Sequence, residues 1–92
     1  MEYKSIITDD LDHCYICGSP YPQVHHIMNG ANKTKSEKYG LLVPLCMNHH
    51  TGMFGVHTHP DLMLEMRRIG QRKFEELHGH DLWMKEFGKN YL

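Results

Sequence analysis

At 92 residues, with 40% hydrophobic and 23% charged content, the chain is long enough for one domain but so short that a structural metal is a natural supplement to its core. No apolar run could cross a bilayer or serve as a secretion signal, which points to a cytoplasmic protein without a membrane partner. The net charge of -1 argues against a broad phosphate-binding surface, although nine histidines and bound divalent cations can add positive charge locally.

Residues 1–13 read as a polar lead-in whose only apolar stretch is Ile6 and Ile7. Cys14-Tyr15-Ile16-Cys17 followed by Gly18 has the form of a metal knuckle, and 19–22 continues as a tight turn. Residues 23–28, with Val24 and Ile27 bounded by turn residues, predict a strand. Residues 29–38 read as a polar loop carrying Lys33, Lys35 and Lys38, which are assigned to substrate binding. The apolar run of Leu41, Leu42, Val43 and Leu45 predicts a returning strand that delivers Cys46.

Beyond Cys46 a short helix is expected, stopped by Gly52 and Gly55. Asp61 is placed as the cap of a helix carrying Leu62, Leu64, Met66 and Ile69, broken at Gly70 and resumed through Phe74 and Leu77 until Gly79. Asp81 then opens a last helix with Leu82, Trp83, Met84 and Phe87, and Gly88 is its C-cap. The methionine and aromatic positions are core candidates. Arg67, Arg68, Arg72 and Lys73 form a second basic cluster.

Cys46-Met47-Asn48-His49 repeats the knuckle spacing of Cys14 and Cys17. Together the two pairs describe one tetrahedral zinc site made of Cys14, Cys17, Cys46 and His49. An odd number of cysteines argues against a closed disulfide framework, and the zinc site uses all three. A closed four-ligand shell leaves no open position, so this zinc builds the fold.

His25, His26, His50 and His57 are then left over. Adjacent residues of a strand point to opposite sides, so His25 and His26 have different roles. One can hold a divalent cation while the other acts as general base on a water, and spacing does not say which is which. His50 is placed rigidly because it follows the zinc ligand His49, whereas His57 and His59 lie beyond two glycines and are weaker candidates. His13, His78 and His80 read as ordinary surface histidines.

The order CYIC, VHHI, VPLCMNHH and GVHTH resembles the HNH, or ββα-metal, nucleases in the subset pinned by a zinc between two knuckles. It is most similar to phage recombination-enhancement nucleases and related small phage HNH proteins, and the tail GQRKFEELHG with EFGKNYL is similar to their helical end. The resemblance implies an α+β chain with a zinc-stabilised, treble-clef-like ββα-metal fold and C-terminal helices. It spans one domain over 1–92, with a core at 14–57 and a helical part at 60–92.

It also implies a metal-dependent endonuclease that nicks or cuts DNA, with a role in recombination or DNA processing. Position by position, His26 matches the family's general base and His25 its metal ligand, often Asp. His50 stands where the family usually has Asn, and His57 matches the final histidine. With His at both positions the site is softer, so Mn²⁺, Ni²⁺, Co²⁺ or Zn²⁺ is expected to be tolerated beside Mg²⁺. His26 would take a proton from water, so the rate is expected to fall below roughly pH 6.5. DNA is the expected partner, with a phage or host recombination or packaging protein as a second; monomer and dimer stay equally open. Two rival readings are a non-catalytic zinc-built binding module for DNA or protein, and a small-substrate zinc hydrolase using His49, His50 and His57, which would need Cys46 free of metal.

Overall fold

The computed structural model describes residues 3–53 and 55–92; the first two residues of the expected lead-in lie outside them. The chain is α+β. A two-stranded antiparallel sheet pairs β1 (Gln23–His26) with β2 (Leu42–Leu45). The register sets Gln23 opposite Leu45, Val24 opposite Pro44, His25 opposite Val43 and His26 opposite Leu42. Because side chains alternate along a strand, this fixes His25 toward the interior and leaves His26 partly open.

The 29–38 segment is a correction. A 3-10 turn at Gly30–Asn32 leads into helix α1 (Lys33–Tyr39). The segment lacks an apolar stripe: α1 fully buries only Ser36, a polar anchor, and adds the half-buried Tyr39 ring, which packs on Phe74 and Phe87. Ser36 Oγ accepts from the Met28 N–H at 2.9 Å and donates to the Met28 carbonyl at 2.7 Å. That pair clamps α1 across the end of β1.

After β2, the short helix α2 (Met47–His50) forms as expected, with Cys46 as its N-cap. Helix α3 (Pro60–His78) starts one residue before Asp61, with His59 at the N-cap and Pro60 in the first turn, where a missing N–H costs nothing. It runs unbroken through Gly70, a second correction. A Cβ at Gly70 would lie 3.1 and 3.2 Å from methyl carbons of Ile27 and 3.4 Å from Leu41 Cδ2, so glycine is there for close approach of α3 to the hairpin. Helix α4 (His80–Phe87) follows and ends at Gly88.

The core gathers Ile27, Leu41, Val43 and Leu45 of the hairpin region with Val56, Met66, Phe74 and Trp83. Ile7 from the lead-in joins it, held because Ser5 Oγ donates to the Leu42 carbonyl at 2.6 Å and the Ile6 N–H to the Gly40 carbonyl at 2.9 Å. Buried Gln71 ties down the C-terminal tail, donating to Asn90 Oδ1 at 2.7 Å and accepting from the Tyr91 N–H at 2.8 Å. Met47 and Met53, by contrast, are exposed. Among the described residues no helix is long and apolar enough to cross a membrane.

Candidate metal centres

The two knuckles meet. The Tyr15 N–H donates to the Pro44 carbonyl at 2.7 Å, docking the first knuckle on β2, and the Gly18 N–H closes the turn onto the Cys14 carbonyl at 2.8 Å. Cys14, Cys17, Cys46 and His49 thereby bring four ligand atoms within 4.8 Å of one another. A tetrahedral zinc with bonds of about 2.3 Å to sulfur and 2.0–2.1 Å to nitrogen sets S···S at about 3.8 Å and S···N at about 3.6 Å. Here Cys17 Sγ and Cys46 Sγ are 3.7 Å apart, and His49 Nδ1 lies 3.7 Å from Cys14 Sγ and 3.2 Å from Cys46 Sγ. The cluster therefore has the size and donor set to hold a metal such as zinc.

Its electrostatics fit a thiolate site. Burial raises the Cys14 thiol, but backbone N–H groups of Cys46, Cys17 and Ile16 and the Cys17 side chain outweigh it and bring Cys14 down to about 6. For Cys46 the His49 N–H acts downward, while burial and the Cys17 and Cys14 sulfurs act upward and prevail. A cation among crowded sulfurs relieves that opposition.

The second cluster is built from three imidazoles. His25, His50 and His57 also place ligand atoms within 4.8 Å of one another. His50 Nε2 and His57 Nε2 are 3.1 Å apart, against about 3.3 Å for two nitrogens on a tetrahedral zinc. His25 is 2% exposed, and among the described residues its Nε2 is one of two buried side-chain polar atoms without a hydrogen-bond partner, Arg67 Nε being the other. An orphaned buried nitrogen costs on the order of 1–3 kcal/mol, and coordination to a cation would satisfy it. Burial first, then the charges of His50, His57, His26 and Arg67, push His25 down to about 3. Burial, His57 and His26 likewise lower His50. Both shifts favour the neutral imidazole, the form that binds metal.

His57 reaches the cluster because the chain doubles back over α2. The Val56 N–H donates to the His49 carbonyl at 2.9 Å and the His57 N–H to the His50 carbonyl at 3.2 Å. The intervening glycines enable this return: a Cβ at Gly55 would lie 2.6 Å from the His50 carbonyl oxygen, and one at Gly52 2.7 Å from Asn48 Cα. His59 stays outside the cluster, with Nδ1 3.0 Å from Thr58 Oγ1 and 3.3 Å from the Gly55 carbonyl.

A cavity of about 280 Å³ opens over the imidazoles, lined by Val24, His25, His26, Asn29, Lys33, His50 and His57. His26 pairs through Nε2 with Glu37 Oε1 of α1 at 2.9 Å. Of the three lysines, Lys33 lines this cavity; Lys35 Nζ donates instead to the Glu86 carbonyl at 2.6 Å, and Lys38 Nζ lies 5.1 Å over the Tyr39 ring. Lys35 and Lys38 are thus directed away from the imidazoles by the helix that replaces the expected loop. In the second basic cluster, Arg68 and Arg72 lie 4.0 and 3.9 Å from Glu65, and Lys73 3.5 Å from Glu76. His13 pairs with Asp10, His80 with Glu75, and His78 packs against Tyr39 and Phe74.

Two residues of the site escaped the sequence. Gln23 Oε1 sits 2.7 Å from His50 Nδ1, and Glu37 backs His26. Alternation along the strand offered a signal for Gln23, two residues from His25 on the same face; nothing in the order of residues pointed to Glu37. Compared with known proteins, the chain matches no protein-family model, no curated protein and no solved structure.

Proposed function

We propose that this chain is a metal-dependent DNA endonuclease of HNH type, with its hairpin and α2 forming a zinc-pinned, treble-clef-like ββα-metal core. The observation that carries the reading is the convergence of His25, His50 and His57 on one point, beside the separate Cys14, Cys17, Cys46 and His49 cluster. A chain this short that needed one metal to fold would have no use for a second set of three imidazoles around an orphaned nitrogen.

A divalent cation held by His25, His50 and His57 would neutralise a phosphodiester oxygen and stabilise the departing 3′-oxygen. The chain's own residues supply the remainder. With Glu37 accepting from His26 Nε2, Nδ1 is the nitrogen left to take a proton from the attacking water. The carboxylate also stabilises the imidazolium as it forms, as an orienting partner does for any general base. Lys33, at the cavity rim, positions the phosphate. Lys33 and a cation on the imidazoles would together favour an anionic substrate despite the net charge of -1 of the whole chain. A phage or host recombination or packaging protein is the partner that would deliver DNA to so weakly basic a surface.

Supercoiled plasmid incubated with the protein and Mg²⁺, Mn²⁺, Co²⁺ or Ni²⁺, each supplied singly, tests this. Open-circular or linear product is expected with at least one metal, none with EDTA, and a rate lower by about 10²–10⁴-fold in His26→Ala. No product from folded, metal-loaded protein would instead favour a zinc-built binding module, and equal cutting by His26→Ala would remove His26 as the base.

A further inference from the structure

The position of Gln23 bears on which metal the imidazole cluster takes. His50 presents two nitrogens, and only one faces His57 and His25. Gln23 Oε1 lies 2.7 Å from Nδ1, while Nε2 lies 3.1 Å from His57 Nε2. A carbonyl oxygen can only accept, so Nδ1 carries the proton and Nε2 keeps its lone pair toward the cluster. Gln23 is held for this by its register opposite Leu45 in the sheet. The three donors are imidazole nitrogens, and no carboxylate is among the residues that line the cavity above them. Mg²⁺ demands oxygen ligands in near-octahedral geometry, whereas imidazole suits zinc, cobalt and nickel.

We propose that Gln23 is a positioning residue that fixes His50 as an Nε2 ligand, completing an all-imidazole site that selects a transition metal of the zinc, cobalt and nickel kind and rejects Mg²⁺. The inference rests on the metal-site part of the reading above and is independent of DNA cleavage.

Cobalt alone is the probe. Protein carrying one equivalent of zinc on its cysteines is titrated with Co²⁺, following the visible absorption of nitrogen-bound cobalt, with total zinc measured at each point. Wild type is expected to bind one cobalt, Gln23→Leu to bind it about 10–100-fold more weakly, and Gln23→Glu, which restores an acceptor, to bind at least as tightly as wild type. Excess Mg²⁺ is expected to leave the spectrum unchanged. Equal affinity in Gln23→Leu and wild type, at unchanged zinc content, would overturn the role of Gln23; displacement of cobalt by Mg²⁺ would overturn the selectivity. No cobalt binding by wild type would overturn the inference and the catalytic metal site together, whereas tight cobalt binding without plasmid cleavage would refute the nuclease reading alone.

Discussion

His25 is the residue on which the second site turns: buried, neutral and with one nitrogen unpartnered. In the unfolded chain a histidine titrates near 6.5, and in the fold burial and neighbouring charge bring this one to about 3. Between those values the unfolded state binds more protons, so stability falls as pH falls through the window, by at most about 1.4 kcal/mol per pH unit, and this residue changes nothing above it. Denaturant midpoints for wild type and His25→Gln, each with one equivalent of zinc, are expected to diverge in slope between about pH 6.5 and 5, wild type being the steeper; parallel profiles would contradict a neutral buried His25. The opposite facing of His25 and His26, one buried and one partly open, was legible from strand alternation alone. Their partners were not, because Gln23 meets His50 across 27 positions and Glu37 meets His26 across 11, and such contacts exist only once the hairpin has closed.

At the scale of elements, sequence reading succeeded where apolar residues alternate or cluster and failed where packing is polar or governed by close approach. The returning strand announces itself through Leu42, Val43 and Leu45, all fully buried. Helix α1 has no such stripe, and its anchor is a hydroxyl between two backbone groups of Met28. Glycine misled twice. Gly70 was read as a helix break but lets α3 approach Ile27 and Leu41. Alanine there gains up to about 1 kcal/mol of helix preference but overpacks a full core at a cost of about 1–3 kcal/mol. Gly70→Ala is accordingly expected to lower stability by about 1 kcal/mol, read as a reduced denaturation midpoint; a raised midpoint would mean that Ile27 yields freely. Gly55, read as a break that weakens His57, is what seats it: Gly55→Ala meets the His50 carbonyl and is expected to weaken cobalt binding by the imidazoles by about tenfold or more, with zinc on the cysteines unchanged.

For the whole molecule, the two clusters are distinct in composition, one of three cysteines and a histidine and the other of three histidines. The cysteine cluster joins the 14–18 turn to β2 and α2, so an ion bound there would be part of folding, as in small metal-built domains. Cys14→Ser is expected to lose zinc and most of its helical circular dichroism, whereas His57→Ala is expected to keep both; a folded Cys14→Ser protein would show that the core of Trp83, Phe74 and Leu41 suffices without metal. The cysteine site could be read from spacing because two short knuckles fix four ligands in advance. The imidazole cluster could be read only in outline, since its third member depends on the return of residues 55–57 over α2.

The most direct test of two metal centres with different chemistry is anomalous diffraction at the zinc edge from crystals grown with zinc. Two peaks per chain are expected, one enclosed by Cys14, Cys17, Cys46 and His49, the other held by His25, His50 and His57 and open toward Lys33. A single peak on the cysteines, or a second ion held by other residues, would contradict the two-centre arrangement and leave the imidazoles without a metal to bind.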